Sequence, residues 1–375
     1  MKIAIISRGK PTSEYPLNGI FEFDQAKALA RQGIEVAFVA IDFRAISFRR
    51  KYGLFQYDKE GVHVFELSLP IGVYRRFLPV LQQLLLIPFR TMLKSFGKPD
   101  IVHAHFYSIA AIATILKRKY SIPLVVTEHS SKLNKTSEQI SDLDKRLAKK
   151  AYQNCDRLIC VSPALQEHVK VNFGVDSICI RNMVDNSFFP CQPKKNNTTP
   201  FVYVSVGNLI PLKRFDNLIE AFASVSDHSE LAIIGDGPER EHLQSLVEKK
   251  GLTGKVILKG QLERERIGEF YQGCHVFVLA SSSETFGVAC IEALYSGLPI
   301  VVTKCGGPES FMNERLGMLV PVDDTKALAE ALKRIRNRYS EYEPSRISKE
   351  CIEIFSPEVV SDEIIEVYNT CTLSH

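Results

Sequence analysis

The chain has 375 residues, 45% of them hydrophobic and 24% charged, which excludes a disordered, collagenous or disulfide-stapled chain and fits an ordinary globule. At this length one hydrophobic core gives way to two domains. The net charge of +4 hides an asymmetry: residues 1–190 hold 27 Lys and Arg against 17 Asp and Glu, a net +10, and the remainder is a net −6.

In chain order, the first strand is predicted over Lys2–Ser7, with no secretory hydrophobic region ahead of it. The loop Arg8–Leu17 leads to Asn18-Gly19-Ile20 and a helix over Phe23–Gln32. A glycine at this point permits close backbone approach to a phosphate or sugar, so Gly19 is a candidate binding residue. A strand follows at Glu35–Ala40.

Between Arg44 and Lys98, ten cations (Arg44, Arg49, Arg50, Lys51, Lys59, Arg75, Arg76, Arg90, Lys94, Lys98) face only Asp58, Glu60 and Glu66. Within this segment Leu78–Phe89 interleaves leucines with few charges. Two readings stand open: peripheral contact with an anionic membrane surface, or a solvated helical insertion. Nucleic acid is set aside, because no binding motif accompanies the charge. No apolar run approaches the roughly 20 residues that a membrane span needs.

Strands over Ile101–Ala104, Leu124–Thr127 and Arg157–Val161 complete a first series. His103 and His105 are expected on opposite faces of their strand, which argues against a shared metal site. His129 follows Thr127-Glu128 at a strand's carboxyl end and is the candidate catalytic histidine, weighed against the common outcome of a structural one. The nine cysteines all follow residue 150 and show no CxxC pair or Cys/His ligand spacing. A reduced, cytoplasmic interior and no metal are therefore expected.

The polar stretch Cys191–Pro200, CQPKKNNTTP, marks a linker. Beyond it a second series is predicted: Phe201–Val206, Glu230–Ile234, Val256–Leu258, Val276–Leu279 and Ile300–Val302. Helices over Phe215–Val225 and Glu239–Lys250 lie between them. Apolar strands without alternation, separated by helices, indicate α/β architecture with parallel sheets covered on both faces. The expected organisation is two doubly wound domains, 1–185 and 186–357, facing a central cleft, with ligands at the carboxyl ends of the strands. A last helix starts near Glu358 (residues 358–375), and the pattern does not reveal where it packs.

The chemistry concentrates in the second half. Ser281–Leu294 runs from a strand into a loop and then a helix opening near Gly287. The start of such a helix offers free N–H groups and a positive dipole end, a ready anion site. Glu292 is the one charged residue from Thr285 through Thr303. A buried carboxylate needs strong donors, and a ribose diol supplies two. Glu284, in the loop, suits sugar hydroxyls. The alternative for both is a solvated or capping role. After Phe201–Val206 comes Gly207-Asn208-Leu209-Ile210-Pro211-Leu212-Lys213-Arg214, where Lys213 as a point charge and Arg214 as a fork suit a diphosphate, against a merely solvated pair. Ile234–Pro238 reads as a structural turn. No P-loop, GxGxxG or Ser-His-Asp grouping is present.

Taken together these motifs resemble a family, the retaining glycosyltransferases of family 4 with the GT-B fold of two Rossmann-like domains. Glu284 to Glu292 matches its E-x7-E signature, Gly207–Arg214 its phosphate-binding loop, Ile234–Pro238 its G-x-G-P turn and Gly306–Glu309 its GG-x-x-E loop. The resemblance implies a UDP- or GDP-linked sugar donor, no required metal, and a glycan or lipid-linked acceptor in cell-surface polysaccharide synthesis; the basic segment adds the expectation that this acceptor stands at the cytoplasmic face of the membrane. It implies Lys213 on the diphosphate with the N–H groups of Phe286 and Gly287, next to Thr285. It also implies Glu284 on the sugar, Glu292 on the ribose, Gly19 and His129 from the first domain, and the last helix packed on that domain. Asn208 stands where many members carry a diphosphate-binding Arg, with Arg214 the expected compensation. The other readings are a nucleotide-sugar epimerase and a non-catalytic sugar-nucleotide-binding subunit of the same architecture.

Overall fold

A computed structural model describes residues 1–12, 14–15, 18–72, 77–191 and 200–373. Leu17, Arg75, Arg76, the body of the expected linker (192–199) and the last two residues lie outside the described part. The chain divides into two compact units, Met1–Met183 with the segment from Pro357, and Val184–Ser356.

The first unit runs β1 (Lys2–Ser7), α1 (Ile20–Arg31), β2 (Glu35–Asp42), β3 (Gly53–Lys59), β4 (Val62–Ser68), α2 (Leu78–Ser95), β5 (Ile101–His105), α3 (Tyr107–Tyr120), β6 (Leu124–Glu128), α4 (Asp142–Asn154), β7 (Arg157–Cys160), α5 (Pro163–Phe173) and β8 (Ile178–Cys179). The sheet order is β3-β4-β2-β1-β5-β6-β7-β8. Every pair is parallel except β3 with β4. The inner strands bury both faces, as their unbroken apolar runs require: all residues of β5 and β6 are buried.

The basic segment departs from the helical-insertion reading. Its first half is the β3–β4 hairpin, turned by Glu60 and Gly61, both at positive φ (51° and 82°), as a two-residue hairpin loop demands. β3 alternates exposed and partly buried positions at the sheet edge; that period of two, diluted by charge, was the signal for it. Among the described residues of this segment, only Leu78–Ser95 is helical.

The second unit runs β9 (Phe201–Val206), α6 (Phe215–Ala223), β10 (Ser229–Ile234), α7 (Arg240–Lys249), β11 (Val256–Gly260), α8 (Arg264–Tyr271), β12 (Val276–Leu279), α9 (Val288–Tyr295), β13 (Ile300–Thr303), β14 (Gly317–Val320), α10 (Thr325–Asn337) and α11 (Pro344–Phe355). Its sheet is wholly parallel, in the order β11-β10-β9-β12-β13-β14. The topological switch lies at β9, whose carboxyl end carries the Gly207 loop.

The last helix, α12 (Pro357–Leu373), belongs to the first unit. Val360, Ile364, Val367, Tyr368 and Cys371 fall on one helical stripe. They join Ile3, Ile5, Phe38, Val125 and Ile159 in the first unit's core.

Candidate active site

The loop after β9 rests on backbone rather than on side chains. Leu209 N–H donates to the Asp236 carbonyl (2.9 Å), and Glu239 N–H donates to the Leu209 carbonyl (3.0 Å). A Cβ on Gly235 would stand 1.9 Å from the Gly207 oxygen, and one on Gly237 2.5 Å from the Leu209 oxygen. The turn Ile234–Pro238 is therefore the bed of the Gly207 loop, and glycine is required where the two chains touch.

From that loop Lys213 extends past Gly207 and places Nζ 2.5 Å from Glu284 Oε1. Ser281 Oγ donates to the same oxygen at 2.7 Å. The two loops are sewn together: Ser282 N–H donates to the Leu212 carbonyl at 2.9 Å, and Glu284 N–H to that of Cys305 at 2.8 Å. Beyond Glu284 and the half-buried Thr285, Phe286 turns inward against Phe311 and Phe355 (both 5.7 Å between ring centroids). Its side chain is an anchor, which leaves its backbone at the start of α9. A Cβ on Gly307 would meet that backbone at 2.5 Å. Gly287, at φ 91°, caps α9, whose first N–H groups have no intrahelical acceptors. The pair stands close to this helix end. Burial, then Cys305 and Glu284, push up the thiol of Cys290 in the first turn of α9, and Lys213 opposes them.

Glu292, one turn further along α9, is 7% exposed. Its partner is Arg264, the first residue of α8, with Nε 3.1 Å from Oε1. The donor that sequence reasoning sought in a ribose is thus supplied first by the protein. Arg264 itself lies 5.8 and 6.0 Å from the rings of Phe188 and Phe189.

Arg214 departs from its expected role. It sits at φ 50° before α6, and its guanidinium donates to Asp216 (3.2 and 3.3 Å) and to Asp323. A fork committed to two carboxylates is not presented to a diphosphate. Asn208 is exposed on the loop.

The first-unit candidates form a separate group. Gly19, at φ 70°, starts α1, and a Cβ there would lie 2.3 Å from the Gly9 oxygen; the close approach it permits is to its own chain. His103 and His105 do not point to opposite faces. Side chains two apart on a strand share a face, and their rings stack at 4.5 Å. The stack continues to His129 at 5.2 Å, where His105 Nδ1 and His129 Nε2 share a hydrogen bond of 2.9 Å. His103 is held by Thr127 Oγ1 (2.7 Å), the Tyr368 hydroxyl (2.6 Å) and Gln25 (3.1 Å). Burial depresses all three: His103 and His129 fall to about 3, the latter also under the charge of Arg8, and His105 falls well below 6.5. His129 is therefore a neutral ring at physiological pH. It offers shape and a hydrogen bond rather than a proton reservoir. Beside it, Glu128 accepts from three backbone N–H groups and the Tyr152 hydroxyl.

Residues 191–349 match the family described as glycosyl transferases group 1, and residues 23–188 match glycosyltransferase family 4. The chain belongs to family 4. A Bacillus subtilis protein named as a teichuronic acid biosynthesis glycosyltransferase is 27% identical to this transferase over 383 residues, covering 96% of this chain and 92% of the relative. Among solved structures, sucrose-phosphate synthase from Thermosynechococcus elongatus shares the GT-B fold (TM-score 0.83, 20% identity, 100% of both chains). So does HepE from Anabaena in complex with UDP and glucose (TM-score 0.74, 20% identity, 99% and 100% of the two chains).

Two members of the site escaped sequence reasoning. Ser281 lay in plain view in the Glu284 loop, but nothing in its spacing marks a hydroxyl aimed at a carboxylate three residues on. Arg264 lies 28 residues before Glu292, and the only hint was that a lone carboxylate in an apolar helix must find a cation somewhere.

Proposed function

We propose that the transferase moves a sugar, with retention of anomeric configuration, from a nucleotide diphosphate donor to a glycan or lipid-linked acceptor. The acceptor stands at the cytoplasmic face of a membrane, in cell-surface polysaccharide synthesis. The observation that carries the reading is Lys213 held against Glu284 beside the start of α9. On donor binding the diphosphate replaces Glu284 as the partner of Lys213, and Glu284 and Ser281 turn to the hydroxyls of the sugar. Glu292, held by Arg264, accepts from the ribose.

The bond from the anomeric carbon to the leaving phosphate oxygen breaks as the acceptor oxygen attacks from the same face. The acceptor proton passes to that phosphate oxygen. Lys213 and the N–H groups opening α9 meet the charge that develops on the diphosphate, so no metal is assigned a part; full turnover in a strong chelator checks this. The UDP held by the Anabaena relative makes uridine diphosphate sugars the first donors to try, with guanosine diphosphate sugars second, and the Bacillus relative, named for teichuronic acid biosynthesis, supports a glycan-building role. The test is a thermal-shift panel of UDP-, GDP- and ADP-sugars, since a ligand of the folded state raises its stability. NMR assignment of the product's anomeric configuration follows. An inverted product, or a sugar trapped covalently on the protein, sinks the mechanism.

A further inference from the structure

Between β2 and β3 the chain makes a tight excursion, Phe43–Tyr52, closed by one side chain. Arg50 donates to the carbonyls of Arg44 (2.7 Å), Phe48 (2.8 Å) and Leu69 (3.0 Å) and to Ser68 Oγ (2.9 Å), and lies 3.2 Å from the Asp42 carboxylate. The Arg44 fork closes on the same Asp42. The exit of β4 is tied to the turn as well, with Gly72 N–H donating to the Phe43 carbonyl at 3.0 Å. Of the four cations in 44–51, Arg44 and Arg50 are thus internal staples, while Arg49 and Lys51 are exposed.

What the staples display is apolar. Ile46 is 74% exposed, and Phe48 and Tyr52 are each 41% exposed. The Tyr52 hydroxyl reaches the Ile46 carbonyl at 3.5 Å, and the Arg44 guanidinium lies 5.1 Å from the Phe48 ring, so the three exposed side chains belong to one braced turn. Single exposed apolar residues are ordinary, but three on one turn, held in place by a web of hydrogen bonds, call for a partner.

We propose that this turn docks the transferase on an anionic bilayer surface. Ile46 and Phe48 enter the acyl boundary, Tyr52 sits at headgroup level, and Arg49 and Lys51 meet lipid phosphates. A soluble polyanion would satisfy the two cations and leave Ile46 and Phe48 in water. A second copy meeting the same patch would bring like cations together. The inference deepens the membrane-side reading of the acceptor given above and is separable from donor recognition.

The test is co-sedimentation of the full chain with vesicles of phosphatidylcholine mixed with phosphatidylglycerol, and with vesicles of phosphatidylcholine alone. Binding is expected to the mixed vesicles and to weaken with salt. Ile46→Asp/Phe48→Asp and Arg49→Ala/Lys51→Ala should each lose more than about tenfold in partitioning, at about fivefold per cation removed, with the nucleotide-sugar thermal shift unchanged as proof of fold. Wild-type protein left in the supernatant overturns the proposal, as do variants that bind like wild type. A concentration-dependent dimer dissolved by Ile46→Asp/Phe48→Asp overturns it in favour of self-association. Vesicle binding by a chain that answers to no nucleotide sugar supports the docking surface and sinks the donor assignment alone.

Discussion

At the scale of single residues, Lys213 and Glu284 hold each other at 2.5 Å, each as the standing partner of the other until a substrate competes. Glu284→Gln keeps size and loses the charge; Lys213→Ala removes the cation that the proposed mechanism sets against the leaving group. Each is expected to lower kcat by about 10²–10³, the scale of losing one preorganised electrostatic contact, in a steady-state assay with a donor identified by the panel. Retained turnover in both variants would remove this pair from the chemistry. Arg264 makes a different prediction. Taking it away leaves the Glu292 carboxylate with little solvent, so Arg264→Ala should lose up to about 3 kcal/mol of stability in urea unfolding. Arg264→Ala/Glu292→Ala should recover part of that loss. If Arg264 also holds Glu292 toward the ribose, the donor KM of Arg264→Lys rises while kcat stays, and preference for a donor over its 2′-deoxy analogue shrinks. Glu292 stood out in the sequence as the one charge in an apolar stretch and Glu284 by its loop at a strand's end, and the resemblance joined them through their spacing. Their partners were not, because a pair joined across loops leaves no periodic trace, and Arg214 was misread because Asp216 and Asp323 are invisible to a local reading of Lys213-Arg214.

At the scale of elements, alternating apolar and amphipathic runs exposed both parallel sheets, because strands buried on two faces cannot hide their composition. The β3–β4 hairpin was lost beneath its charges. The facing of His103 and His105 was a misapplied period: a spacing of two returns to the same side. That correction has a consequence for pH. Unfolded, each histidine takes a proton near pH 6.5; folded, His103 and His129 resist protonation down to about 3. Folded values below unfolded ones mean that stability is full above about pH 6.5 and falls as pH drops toward 3, by at most about 2 kcal/mol per histidine at about pH 5. Glu22 and Glu128, raised chiefly by burial, act in the opposite sense. Replacing His105 and His129 together by Phe removes both members of one hydrogen bond, and only Asn182 loses a side-chain partner in His129. The wild-type urea midpoint should therefore fall more than the variant's between about pH 7 and about pH 5. Equal falls would place the acid sensitivity elsewhere.

At the scale of the whole molecule, the hidden charge asymmetry separates two tasks. The net −6 half gathers Lys213 and Arg264 against Glu284 and Glu292 at the candidate site, while the +10 half spends Arg44 and Arg50 on its own architecture and keeps Arg49 and Lys51 outward. The chain's path adds a constraint that its charge does not. The second unit, Val184–Ser356, is one unbroken segment, whereas the first is completed only when α12 returns to it. The pattern of that last helix was legible, but its destination depended on which core had a gap for its stripe. Val360, Ile364, Val367, Tyr368 and Cys371 are each at most 5% exposed there, and Tyr368 also holds His103. Burying side chains of this size contributes roughly 1.5–3 kcal/mol each, so losing five rivals the roughly 5–15 kcal/mol that stabilises a whole domain. A chain ending at Ser356 should therefore lose the first unit's cooperative unfolding transition in calorimetry, while the fragment 184–356 keeps its own transition and its thermal shift with the donor nucleotide. Two intact transitions in the truncated chain would show that α12 is an accessory to the first core rather than part of it.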